Sequence, residues 1–141
     1  MKKLLILATL IGAIVFAVFI AHVFFGIIPR KEMGHSLAAL GTYRSAIAIY
    51  HDDHGTYPTS LDLLIPKYIA GFPFAPNIAY PTGWFSYETH TMEAHFQYVS
   101  ELRADDSGGW IYDNNPQSKD FGKIIINCTH MGYGEKIYSE M

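Results

Sequence analysis

Two histidines and two aspartates stand in a row at His51-Asp52-Asp53-His54. On a helix, residues three positions apart share a face. His51, Asp53 and His54 would therefore offer a divalent metal a mixed nitrogen and oxygen ligand set, as in a metal-dependent enzyme. The same tetrad directly precedes Gly55, and a helix C-terminus stabilises imidazolium with no metal present. A second set of donors, Asp105, Asp106, Asp113, Asn114, Asn115 and Asp120, lies on loops at the two ends of one predicted strand. Calcium takes roughly six to eight oxygen ligands, so Asp105, Asp106 and Asp113 are candidate calcium ligands. Asp and Asn are equally what a tight turn requires. His90 and His95 flank a predicted strand-turn-strand link at a spacing without ligand logic, and read as surface histidines.

Cys128 is the single cysteine, which excludes an internal disulfide and any CxxC zinc site. It reads as a small buried hydrophobe, with a cross-link between two copies as the alternative in an oxidising compartment. No base partner for it is identifiable. No Gly-rich phosphate loop, GxSxG elbow or HExxH pair occurs, so the sequence predicts a protein that is not an enzyme.

The elements that must carry these residues are few, because 141 residues make one domain plus an anchor at most. Charged residues are only 16% of the chain and aromatic ones 15%, a composition that packs a core rather than staying disordered. Lys2 and Lys3 are the only charged residues before position 30, so the remainder carries 10 − 2 = 8 basic against 13 acidic side chains, or −5. A head of that sign has no phosphate-neutralising surface, and nucleic acid is excluded as a partner.

Leu4 to Ile28 contains no Asp, Glu, Lys or Arg. As a helix these 25 residues would span roughly 37 Å, against a hydrocarbon core of about 30 Å. Residues 1–29 therefore predict a single-pass membrane anchor. A cleaved secretory signal is the rival, but the run exceeds the usual apolar region of about 7 to 15 residues and no small-x-small site follows it. Lys2 and Lys3, set against Arg30, Lys31 and Glu32, orient the N-terminus inward and the head outside the cytoplasmic membrane.

Residues 30–141 form the predicted head. Met33, Leu37, Leu40, Tyr43, Ile47 and Tyr50 recur with helical period and define a stem helix over about 31–54, closed by Gly55 and Pro58. Residues 55–83 read as a loop containing a short helix capped by Ser60, followed by a proline-rich stretch with Pro73, Pro76 and Pro81. Strands are predicted at Trp84–Glu88, His95–Ser100, Gly109–Asp113 and Lys123–Cys128, in an antiparallel sheet over about 84–128 with a C-terminal tail. The expected fold class is α+β, with a transmembrane helix continuing into a stem packed on that small sheet.

The stretch Leu37 to Leu64 runs an aliphatic and aromatic helix into a polar segment, then Gly55-Thr56-Tyr57-Pro58, then Ser60-Leu61-Asp62. In that order it resembles the stem and following loop of type IV pilin-like proteins, especially the major pseudopilins of type II secretion. Ser107 to Asn127, with Gly108, Gly109, Trp110 and Tyr112, is similar to the Gly-Gly-Trp-x-Tyr hairpin of many pilin-like heads. The resemblance implies a pilin-like fold and helix-to-helix packing into a short periplasmic fibre. It also implies a calcium site in a C-terminal loop, which directs attention to Asp105, Asp106 and Asp113. The prepilin leader is the point of departure: neither Gly12 nor Gly26 is followed by the hydrophobic residue and nearby glutamate of that motif, so a prepilin peptidase would have no recognisable site.

The expected function is accordingly a structural or accessory component of a bacterial type II secretion or type IV pilus-type system. It would sit in the inner membrane with a periplasmic head. Its partners would be the membrane, its own copies or other pilin-like subunits, and secretion-system components. Two alternatives remain open. One is a stand-alone envelope-anchored binding module using the Pro-rich loop with Trp84 and Phe85; the other is the metal-dependent enzyme built on His51, Asp53 and His54.

Overall fold

The computed structural model describes residues 2–72, 78–83, 86–90, 96–132 and 136–141. The chain opens with helix α1 (Lys2–His22), passes through a π-helical turn (Val23–Ile27) and continues as α2 (Ile28–His54). A wide turn of this kind re-phases the side chains of a helix without ending it, and it lies just before Pro29, which has no N–H to donate back into that turn. Among the described residues no helix is long and apolar enough to cross a membrane.

The stem ends where its residues dictate. Gly55 takes φ 70°, a left-handed conformation that costs a residue with a Cβ, and its N–H donates to the His51 carbonyl at 2.7 Å. A 3-10 turn (Leu61–Leu64) follows, opened by Ser60, whose hydroxyl accepts from the Asp62 N–H at 3.3 Å.

The fold is α+β with a small mixed sheet, which corrects the expected antiparallel arrangement. Strands β1 (Ile78–Gly83) and β2 (Ser86–His90) pair antiparallel as a separate two-stranded sheet. Strands β3 (Phe96–Val99), β4 (Trp110–Asp113) and β5 (Ile124–Ile126) form the second, in the order β3-β4-β5. There β4 runs antiparallel to β5 but parallel to β3. A parallel pair needs a crossover, and residues 100–109 supply it as irregular chain. The end of β5 holds that crossover in place. The Asn127 amide donates to Asp105 Oδ1 at 2.7 Å, the Asp105 N–H donates to Asn127 Oδ1 at 2.8 Å, and the Asn127 N–H donates to the Gly109 carbonyl at 3.1 Å.

The core lies between α2 and this sheet. Ala39, Leu40, Tyr43, Ala46 and Ile47 of α2 meet Trp110, Tyr112, Ile124 and Ile126, with Leu61, Leu64 and Ile69 closing one side. Tyr43 is the hub, its ring edge-on to Trp110 at 5.2 Å and to Phe96 at 5.5 Å, spacings at which aromatic pairs attract. Burial pushes the Tyr43 hydroxyl far above its ordinary pKa. Arg44 ties the last residues to the stem by donating to the Met141 carbonyl at 2.8 Å and to the Ile124 carbonyl at 3.3 Å. Strand β1 also packs against α2. Of the expected binding-surface residues, Trp84 and Phe85 lie outside the described residues, as do Pro73, Pro76 and His95; Pro81 stands within β1.

Candidate functional site

The tetrad after the stem does not form a ligand set. His51 Nδ1 lies 3.8 Å from Asp52 Oδ1, while Asp53 and His54 go to other neighbours. His51 lies against the Tyr57 ring at 4.3 Å, and His54 stacks on Tyr50 at 4.1 Å while its Nδ1 lies 2.9 Å from the Tyr50 carbonyl. Asp53 accepts from Lys67 Nζ at 2.7 Å and from the Tyr68 hydroxyl at 2.8 Å. These bonds, the one from Lys67 first, hold the Asp53 carboxyl below the usual carboxylate range. The tetrad thus fastens the base of the stem to the loop beneath it, and His51, Asp53 and His54 are not among the described residues whose donor atoms converge.

The three candidate calcium ligands also part company. Asp105 accepts the Ser107 hydroxyl at 2.7 Å and the Ser107 N–H at 3.0 Å, besides the Asn127 amide. The Ser107 hydroxyl leads the effects that hold its carboxyl low. Asp113 is fully buried, accepting from the Asn115 N–H at 3.0 Å and, closely, from the Ser118 hydroxyl. Asp106 turns elsewhere, toward residues 128–130.

The motif residues after the stem serve to join it to the sheet. The buried Tyr112 hydroxyl donates to the Pro58 carbonyl at 2.6 Å, Asn114 donates to the Thr59 carbonyl at 3.1 Å, and the Leu61 N–H donates to the Tyr98 hydroxyl at 3.2 Å. Burial drives the Tyr112 hydroxyl well above its ordinary pKa, in keeping with a permanent donor. The Tyr57 ring covers Gly122, whose φ of 86° turns the chain back into β5. Gly108 and Gly109 take φ 82° and 76° just before Trp110, the fully buried first residue of β4.

One group of chemically capable side chains does converge. His90 ends β2, Asp106 sits on the crossover, and Cys128 and His130 follow β5. One donor atom from each lies within 4.8 Å of the others, the single such group among the described residues. His130 Nδ1 is central to it, 3.1 Å from His90 Nε2, 3.4 Å from Cys128 Sγ and 3.3 Å from Asp106 Oδ1. Cys128 is buried and the other three are partly exposed.

Asp106 is delivered by an uncommon backbone, φ 63°. Its carboxylate accepts the Thr129 N–H and the Thr129 hydroxyl, each at 2.6 Å. Burial raises its pKa, but the two Thr129 bonds with His130 and His90 nearby outweigh this, and the net direction is down. Burial raises the Cys128 thiol to about 11. Cys128 is thus buried as expected, but beside an imidazole that sequence spacing alone did not connect to it. The Cys128-Thr129-His130 triplet was the visible signal, a thiol and an imidazole two residues apart next to a strand end.

No family model, curated protein or solved structure matches this chain.

Proposed function

We propose that the chain is a non-enzymatic, membrane-anchored structural or accessory subunit with a pilin-like head, serving a bacterial type II secretion or type IV pilus-type system. Its head would lie on the periplasmic side of the inner membrane. One observation carries this reading: a helical rod with two different surfaces. Along α1 most of the described large side chains, among them Ile6, Leu10, Ile14, Phe16 and Phe19, are more than half exposed. Along α2 the same rod buries Leu40, Tyr43 and Ile47 in the head. An exposed apolar helix of this kind requires cover by lipid or by neighbouring helices. The order of stem, Gly-x-Tyr-Pro loop and Gly-Gly-Trp hairpin supports a pilin-like head in particular.

Ile49 lies on the open side of α2, 52% exposed. A photoreactive residue placed there in the native host should capture a second copy or another pilin-like subunit. Capture of unrelated envelope proteins only, with no copy of this chain and no pilin-like partner, would replace the fibre role with the stand-alone binding module.

A further inference from the structure

We propose that His90, Asp106, Cys128 and His130 form a structural zinc site that staples the β1–β2 sheet to the crossover and to the chain leaving β5. A tetrahedral zinc with bonds of roughly 2.0–2.3 Å has ligand atoms about 3.3–3.6 Å apart. The separations from His130 Nδ1 to the other three donors, 3.1, 3.4 and 3.3 Å, are already close to those edges. Small rotations of the remaining side chains, whose donors lie within 4.8 Å of one another, complete the figure.

The donor set selects the metal. One thiolate and two imidazoles suit a borderline ion, while calcium takes oxygens alone. A thiolate and a carboxylate carry two negative charges, which balance a divalent ion in a partly buried place where an unpaired charge is costly. On binding, Cys128 gives up its thiol proton to solvent as the sulfur–metal bond forms, and both imidazoles bind through a ring nitrogen. Four protein ligands leave no open position for a reacting water, so the site holds structure rather than performing hydrolysis. Thr129 acts behind it, since its two bonds fix the Asp106 carboxylate facing the centre.

The topology makes such a staple useful. Among the described residues the two sheets share no strand pairing, and His90 is the last residue of β2. A metal bond from His90 to residues 106, 128 and 130 would link the small sheet to the larger one.

The full chain, solubilised in detergent and purified without a polyhistidine tag, should retain one equivalent of zinc after dialysis. Cobalt(II) in its place should show intense visible bands of a tetrahedral centre and a near-ultraviolet thiolate-to-cobalt band. Because Cys128→Ser touches the core, His90→Ala serves as the second variant, and its imidazole is only partly buried. It should weaken zinc by well over tenfold, since even the outer-shell partner of a ligand is worth about 10- to 100-fold, and should remove zinc-dependent hydrogen-exchange protection of residues 86–90. Failure to retain zinc, a pale six-coordinate cobalt spectrum without the thiolate band, or unchanged zinc affinity in His90→Ala would each overturn the site.

Discussion

Replacing Gly122 by alanine separates backbone conformation from close packing. A Cβ there would lie 2.2, 2.4 and 2.6 Å from Cγ, Cδ1 and Cδ2 of Tyr57, far inside the carbon contact distance of about 3.5–4.0 Å. Those ring atoms sit next to the backbone, so the whole ring must leave, and with it the contacts to His51 at 4.3 Å and Phe121 at 5.5 Å. The φ of 86° adds about 1–2 kcal/mol for any residue with a Cβ, and overpacking adds about 1–3 kcal/mol. The expected loss is roughly 2–5 kcal/mol, or a fall in Tm of roughly 8–20 °C for a head of this size. Gly55→Ala is the control, because it shares the left-handed φ, 70°, but has nothing within 4 Å of the added carbon. It should lose only the backbone part, about 1–2 kcal/mol. Thermal unfolding of the detergent-solubilised full chain, followed by circular dichroism in the Tyr and Trp bands, reports the aromatic core and leaves out α1, which has neither residue. Equal losses in the two variants would refute the packing of Tyr57 on Gly122.

Three further outcomes are expected. Tyr112→Phe removes the donor to the buried Pro58 carbonyl and should cost about 1–3 kcal/mol in denaturant unfolding, the penalty for an unpaired buried group; a neutral result would remove that bond from the account. Gly41→Ala, in the middle of α2 with open space around it, should stabilise the head by about 0.5–1 kcal/mol, and a loss would show that something packs closely there. Asp53 has a carboxyl held low chiefly by Lys67, so its contribution is present above the ordinary carboxylate pKa of about 3.9 and fades as pH falls through the lower folded value. The stability gap between the native chain and Asp53→Asn should therefore close on acidification, and a gap that widens would reverse the sign.

How much was legible in the sequence depended on how local each signal was. The stem's end could be read because Gly55 and Pro58 act on their own neighbours, and α2 does stop at His54. Ser60 capped its turn for the same reason. Strands β3, β4 and β5 fell where aromatic and β-branched residues cluster, within a residue or two at their ends. Strand β1 was hidden because Pro81 demotes any strand reading, yet a proline is tolerated on a short, irregular hairpin edge, and the pairing shifts register between Pro81 and Gly83. The parallel β3–β4 pair was not legible. Its direction is set by hydrogen bonds from Asn127 back to Asp105 and Gly109, more than fifteen residues earlier in the chain.

The site was hidden for the same reason. The His51 to His54 tetrad drew attention through adjacency, but ring contacts and Lys67 disperse it. The convergent group draws single residues from the ends of two strands and from a crossover, so only Cys128 and His130 are neighbours in sequence. Asp106 was singled out as an oxygen ligand, but for another cation and in other company.

The proposed arrangement, an apolar rod held in a membrane with a folded head outside it, is tested by alkaline extraction of native-host membranes followed by protease added from the periplasmic side. The full chain should stay in the membrane pellet, and external protease should remove the head while leaving a fragment containing α1. A chain released into the alkaline supernatant, or a head shielded from external protease, would contradict it.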